Sequence, residues 1–207
     1  FEAQDFSGGL NLRDAPSKLG PGDTPDCMNV TLDELGGLMK RLGLLRVNGS
    51  ALAGAGKNLF YSAALARDII QIGATLYKTS DWVTVTSFAT FTTSARAAFV
   101  DFNGRLVAVH PVDGVFDYDG TTWSLRNSTV KGGCIAAWQN KLWVGSSTDA
   151  TVWWSNAGSS ATWTTGTDFV QLREIDNSAI TAIGIGQGMD VAGRPGLLVF
   201  KSTSSYR

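Results

Sequence analysis

The residues best able to do chemistry in this 207-residue chain are one histidine, two cysteines and a short run of aspartates. His110 is the single histidine of the sequence, which argues against histidine-rich metal sites and against catalytic triads that need a histidine base. It stands before Pro111 at the end of an apolar stretch. The sequence therefore favours a partly buried loop residue with a structural role.

The cysteines Cys27 and Cys134 are more than a hundred residues apart in the sequence. They form no Cys-x-x-Cys pair and have no companion histidine, so their spacing does not match a metal or redox site. Two buried thiols are the favoured interpretation, and a long-range disulfide is the alternative.

Two further motifs could hold ions. Asp113, Asp117 and Asp119 alternate before Gly120 and could supply oxygen ligands to calcium, but the run lacks the closing glutamate of an EF-hand loop. Aspartates that cap turns are the favoured interpretation. The glycines within 184–188 suggest a phosphate cradle, yet no helical pattern follows to aim N–H groups at a phosphate. A long loop between strands is the favoured interpretation there.

Composition and charge argue against nucleic-acid binding and membrane association by the molecule as a whole. The net charge is −1 and the pI is about 5.8, so nothing draws the whole molecule to nucleic acid or to an anionic membrane. No stretch approaches the roughly 18 to 20 apolar residues of a membrane span. The chain holds 24 glycines and seven tryptophans, a turn-rich composition that favours β-structure. Because it starts with Phe1 and ends within an apparent hairpin strand, we expect an N-terminal piece of a longer protein.

A repeat of about forty residues indicates the elements that must position these groups. Trp82, Trp123 and Trp163 stand 41 and 40 residues apart, and short apolar strands and polar turns such as Asn103–Gly104 lie between them. This period is typical of β-propeller blades with about four antiparallel strands each. Residues 106–109 do not alternate between apolar and polar side chains, as expected for a strand of a blade that packs on both faces. The predicted repeat core is Trp82, Leu106, Trp123, Leu142, Trp143 and Trp163.

The predicted organisation is all-β in two parts. Residues 1–50 form an N-terminal arm of loops, with a hairpin in which 29–33 and 38–42 flank the turn Glu34–Gly37. Residues 51–207 form the propeller. Its repeats cover approximately 56–90, 96–130, 133–175 and 178–207, the last being partial, and Trp82–Val85 is the predicted fourth strand of the first repeat.

The tryptophans Trp138, Trp143, Trp153 and Trp154 have two interpretations. They could stack on sugars, but consecutive strand residues point to opposite faces, so Trp153 and Trp154 cannot share one platform. Packing between blades is favoured, and burial of each ring would contribute about 2 to 3 kcal/mol. A lectin-like surface site is the alternative.

Some propellers, the sialidases among them, are enzymes that cleave sugars. The segment 116–123 keeps the Gly-x-Thr-Trp of a sialidase Asp box, but Phe116 and Tyr118 stand where Ser and Asp belong. That box stabilises the fold and is remote from the chemistry. The arginines of the sequence show no grouping of three around a carboxylate, which argues against glycoside hydrolysis. With the single histidine, the cysteine spacing and the aspartate spacing described above, we expect no catalytic residue, no cofactor and no metal site.

The opening segments resemble a tail-protein family of tailed bacteriophages. The matching elements are Gly8-Gly9-Leu10-Asn11, Pro16, Asn29-Val30 and Arg41-Leu42-Gly43, followed by repeats with Asn103-Gly-Arg-Leu106 and Gly120-Thr-Thr-Trp123. The resemblance covers most of the chain. It implies a structural virion protein located in the tail, such as a nozzle, tail-tubular or hub protein, that takes part in tail assembly and DNA ejection.

The resemblance also implies partners. They are copies of the same chain in a ring, commonly six-fold for a nozzle, adaptor or portal proteins, and DNA that passes through the lumen without specific recognition. We hypothesise that a near-neutral protein suits such a DNA channel, because it binds DNA phosphates only weakly. The candidate assembly residues are Phe6, Leu10, Asn11, Asn29, Leu38, Lys40 and Arg41. The alternative function is a glycan-binding or glycan-cleaving propeller that recognises sugars on a host surface.

Overall fold

The computed structural model describes residues 51–173, 176–186 and 195–201 with their side chains. It also describes the backbone of short strands at 9–10, 23–24, 30–32, 38–40 and 205–206. The chain divides into two compact units, Phe1–Arg46 and Val47–Arg207. The described residues are all-β, as the sequence predicts.

The first unit contains two small strand pairs. Gly9–Leu10 (β1) pairs in parallel with Asp23–Thr24 (β2). Val30–Leu32 (β3) pairs antiparallel with Leu38–Lys40 (β4), which confirms the predicted hairpin.

The second unit consists of four successive antiparallel sheets, which we call blades 1 to 4, and in each blade the strands pair in chain order. Blade 1 consists of Gly56–Ser62 (β5), Arg67–Ile72 (β6), Thr75–Thr79 (β7) and Thr86–Thr90 (β8). Blade 2 consists of Ala98–Phe102 (β9), Arg105–His110 (β10), Gly114–Tyr118 (β11) and Trp123–Asn127 (β12).

Blades 3 and 4 follow the same plan. Blade 3 consists of Gly132–Trp138 (β13), Lys141–Ser146 (β14), Thr151–Trp154 (β15) and Phe169–Gln171 (β16). Blade 4 has three described strands, Ile180–Gly186 (β17), Gly196–Lys201 (β18) and Ser205–Tyr206 (β19). The first strands of successive blades lie next to one another, and this gives the unit its propeller-like arrangement.

Tight turns join the strands where the sequence supplies residues that tolerate positive φ. Asn103 and Gly104 have φ angles of 50° and 73° and connect β9 to β10, a two-residue hairpin turn of the kind that matches strand twist. Gln139 and Asn140 connect β13 to β14 in the same way, with φ angles of 49° and 57°.

The core lies between the blades rather than inside any one of them. In β10, Leu106 and Ala108 pack in the cluster with blade 1, whereas Val107 and Val109 pack in the cluster with blade 3. All four are fully buried, which confirms that blade 2 packs on both faces. Because a single blade cannot bury both of its faces, the blades stabilise one another by stacking.

Candidate functional site

An apolar groove between blades 3 and 4 is the candidate binding site in the described part of the chain. The residues that line it come from β13 to β16, from the segment that follows β16, and from β18, and the cavity measures about 300 Å³. The lining residues are Trp138, Trp143, Val152, Val170, Leu172, Gly196, Leu197 and Val199.

Two tryptophans give the groove its shape. The ring centroids of Trp138 and Trp143 are 5.8 Å apart, and the Trp143 indole N–H donates to the Trp138 carbonyl at 3.1 Å. On the other side of Trp143, the ring of Trp154 lies 5.2 Å away. Trp153 instead packs into the cluster between blades 2 and 3, as strand alternation predicts.

The groove is chemically suited to an apolar group. Its lining side chains are hydrocarbon or indole, and the Trp143 N–H is already used within blade 3. The Trp138 indole N–H is the other side-chain donor of the lining. Most hydroxyl groups of a buried sugar would therefore lack a side-chain partner, at a cost of about 1 to 3 kcal/mol each. A flat aromatic or aliphatic group fits this chemistry better.

The three tryptophans of the forty-residue spacing are not equivalent in the structure. Trp123 is half-buried among the rings of blades 1 and 2, and Trp163 is half-buried against the cluster between blades 2 and 3. Trp82 is 41% exposed, so its prediction as a core residue was wrong. It lies in the turn before β8, which begins at Thr86, and therefore Trp82–Val85 is not the fourth strand.

Hydrogen bonds in the turn before the fourth strand show which residues of blades 1, 2 and 3 are equivalent. Asp81 Oδ1 accepts the N–H groups of Val83 and Thr84 at 3.0 and 2.8 Å. Asp119 Oδ1 accepts those of the two residues before Trp123 at 2.9 and 2.7 Å. In blade 3 the hydroxyl of Ser159, four residues before Trp163, accepts the matching pair at 3.1 and 3.0 Å.

In that alignment the equivalent of Trp123 and Trp163 in blade 1 is Val85, and Trp82 takes the place of Gly120. Both Trp82 and Gly120 have positive φ, 60° and 97°. The hydrogen bonds from backbone N–H groups lower the pKa of Asp81 and of Asp119, the bonds from Thr84 and Thr122 being the largest causes.

Two arginines converge on a buried carboxylate, which the sequence did not indicate. Arg126 Nε is 2.8 Å from Asp117 Oδ1, although its N–H is not aimed along a hydrogen-bond direction, and an Arg105 nitrogen is 3.6 Å away. The Ser160 hydroxyl donates to Asp117 Oδ2 at 2.8 Å from blade 3. Strand register could have shown this cluster, because Val107 and Ser124 flank Asp117 across the sheet.

The aspartates considered for calcium therefore have separate tasks. Asp117 joins blades 2 and 3, Asp119 caps a turn, and Asp113 accepts hydrogen bonds from the backbone and hydroxyl of Thr92. Within the described residues, no group of three or more acidic, histidine or cysteine side chains is arranged to hold a metal ion.

His110 has a structural position in blade 2. Its side chain is fully buried and its ring stacks on Phe91 with centroids 4.3 Å apart. Nδ1 accepts the N–H groups of Val112 and Asp113 at 3.4 and 3.1 Å, as a neutral imidazole does. Burial lowers the pKa of His110, and the Asp113 carboxylate and the backbone of Ala95 offset part of that effect. His110 and Asp113 are therefore in contact without forming an ion pair.

The other candidate residues lie in separate parts of the chain. Leu106 and Leu142 are fully buried and Trp143 is half-buried. Cys134 is a buried free thiol between blades 3 and 4, and burial raises its pKa to about 11. Leu10, Leu38 and Lys40 lie on β1 and β4. The remaining candidates lie outside the described residues, namely Phe6, Asn11, Cys27, Asn29 and Arg41.

No protein-family model matches this chain. No curated protein matches it either. Among solved structures, the chain is similar to the crystal structure of the computationally designed Ika4 protein, with a TM-score of 0.53 and 15% identity over 80% of this chain and 97% of that chain. At this identity the likeness shows the fold alone, a propeller-like all-β architecture.

No helix in the part of the chain that the structure describes has the length and apolar character needed to cross a membrane.

Proposed function

We propose that this protein is a structural component of a bacteriophage tail, located in the virion, that assembles into a ring and takes part in tail assembly and DNA ejection. The proposal starts from the resemblance of the arm elements, Gly8–Asn11 and Arg41–Gly43 among them, to a phage tail-protein family. In that role, the arm and the blade edges would contact neighbouring copies and adaptor or portal proteins. DNA would pass through the lumen without sequence-specific recognition.

The structural observation that supports the proposal is that acidic side chains and the histidine make hydrogen bonds that hold the blades and their turns together. Asp117 joins blade 2 to blade 3, and His110 and Asp113 brace the turn between β10 and β11. Asp101 accepts the Ser62 hydroxyl at 2.6 Å and so joins blade 2 to blade 1. These side chains stabilise the stack, which supports a scaffolding role.

The second candidate is a glycan-binding or glycan-cleaving propeller. The observation in its favour is that Trp138 and Trp143 border an open groove. The apolar lining of that groove weighs against sugar, and the carboxylate nearest to two arginines, Asp117, is buried. The phage-tail role is the better-supported of the two.

Negative-stain electron microscopy of the purified chain, combined with a glycan array, tests the proposal. Rings with an open centre and no retention on glycans are the expected result. Saturable sugar binding that Trp138→Ala abolishes, without rings, would replace the proposal with the second candidate. Flanking genes that encode a portal and an adaptor would be independent support for the tail.

A further inference from the structure

The groove between blades 3 and 4 lies within the stack, and described strands form both of its walls. Blade 3 supplies residues of β13 to β16, and blade 4 supplies residues of β18. Val152 and Val199 are buried in its inner part, whereas Val170 is 41% exposed and leaves the groove open to solvent. Because the two walls meet at an internal junction, the groove does not depend on what lies beyond blade 1 or blade 4.

The size of the groove suits a small molecule. It measures about 300 Å³, and an apolar cavity of about 150 Å³ is enough to hold benzene. Two fused aromatic rings, or an aliphatic group of similar volume, would therefore fit. The indoles of Trp138 and Trp143 are tilted by 54° to one another, so each can present an edge or a face to such a group.

A lysine places a positive charge beside the apolar lining. Lys141 pairs directly with Trp138 across β13 and β14, and it shares a face of β14 with Trp143, two residues further on. Its ammonium lies 5.9 Å from the centroid of the Trp154 ring.

The charge of Lys141 is not neutralised within the described part of the chain. No carboxylate there lies within ion-pair distance of its ammonium, and the described ion pairs use other residues. The half-buried Lys141 therefore retains donors for an anion next to a groove that favours apolar groups.

We propose that this groove binds a small organic acid, with its apolar part among the indole and aliphatic side chains and its acidic group at the Lys141 ammonium. Charge complementarity selects an acid, since an amine would be repelled by Lys141 and a neutral apolar molecule would leave its charge unused. Binding at the groove and assembly into a ring are separate properties, so either can fail while the other holds.

Two fluorescent probes of nearly the same shape test the site on the full chain. Anilinonaphthalene sulfonate has naphthalene and phenyl rings with an anionic group, and N-phenyl-naphthylamine is its neutral analogue. Fluorescence titration should show saturable 1:1 binding of the anionic probe. Lys141→Gln should weaken that binding about 3- to 5-fold and leave the neutral probe unchanged. Trp138→Ala should weaken both probes about 10-fold, because it removes a wall of the groove.

Lys57→Gln is the matched control. Lys57 is an exposed lysine on β5 of blade 1, where Leu59 and Tyr61 are also exposed, so it combines charge and apolar surface far from the groove in the chain. This variant should bind both probes as the wild type does. Circular dichroism should show the same β-structure in all variants.

Four results would overturn the inference. They are no saturable binding of the anionic probe, equal binding of the anionic probe by Lys141→Gln and the wild type, equal binding of both probes by Trp138→Ala and the wild type, and a loss in Lys57→Gln as large as that in Lys141→Gln. The last result would assign the binding to blade 1. None of the four bears on ring assembly, which electron microscopy decides.

Discussion

The junction between blades 1 and 2 and the junction between blades 3 and 4 have the same plan but differ in packing. The first joins Phe88, Phe91, Phe116, Tyr118 and Trp123 in one ring cluster, with Phe116 and Trp123 stacked 5.0 Å apart. Among the described residues, the second has a smaller buried cluster, and it leaves the groove of about 300 Å³ open.

Polar contacts differ between the same two junctions. Across the first, the Lys78 ammonium donates to the Tyr118 hydroxyl at 2.6 Å and lies over the Phe88 and Tyr118 rings. At the second, the buried Lys201 ammonium donates to the carbonyls of Leu172 and Asp176 at 2.9 and 2.6 Å. The comparison indicates that aromatic rings fill the first junction, whereas the last junction leaves room for a ligand or partner.

The largest effect should come from Trp123→Ala at the first junction. Trp123 contacts four aromatic rings with centroid distances of 5.0 to 6.4 Å, so its removal should lower the free energy of unfolding by about 3 to 5 kcal/mol. Urea denaturation monitored by circular dichroism measures this loss. Trp82→Ala is the control and should cost clearly less, about 1 kcal/mol, since Trp82 is 41% exposed. Equal losses in the two variants would contradict the assignment of Trp123 to the core.

The second effect concerns the reactivity of Cys134, which reports opening of the last junction. With a pKa of about 11, against an ordinary value of 9.0, the thiolate fraction at pH 8 should be about 100-fold below that of an unperturbed thiol. Labelling of the Cys27→Ser variant should be slower by at least that factor, and it should accelerate in urea below the global midpoint. Acceleration only at the midpoint would show that both junctions open together.

The third effect compares added volume at the two junctions. Ala108→Val should cost about 1 to 3 kcal/mol, because Ala108 is fully buried in the ring-rich cluster. Val199→Leu adds one methylene beside the open groove and should change stability by less than about 1 kcal/mol. Thermal unfolding of both variants measures the difference. A larger loss for Val199→Leu would show that the groove is not free to accept volume.

The smallest effect is a pH dependence centred on blade 2. The folded pKa of His110 is lowered below 6.5, so the unfolded chain takes up its proton first as the pH falls. The stabilisation is therefore complete above pH 6.5 and is lost progressively as the pH falls through the folded pKa. Unfolding free energies at about pH 7.5 and about pH 5.5 should differ more for the wild type than for His110→Ser.

The serine in that variant copies the matching turn of blade 3, where the Ser146 hydroxyl accepts the N–H groups of Thr148 and Asp149. An unchanged pH dependence in His110→Ser would assign the effect to other groups.

Strand periodicity and turn residues determined much of this fold. The hairpin of β3 and β4, the turn at Asn103–Gly104 and the two-sided packing of 106–109 follow from local preferences and from the absence of alternation. These features are local, and a sequence carries them directly because neighbouring residues decide backbone conformation and strand pairing.

Tertiary structure alone decided which repeated residues are equivalent and which groups meet. The spacing of Trp82 matches that of Trp123, but the turn that begins at Asp81 moves Trp82 to the surface and gives Val85 the equivalent position. The contact of Ser160 in blade 3 with Asp117 in blade 2 depends on how the sheets stack. Such contacts join residues far apart in the chain, so spacing cannot reveal them.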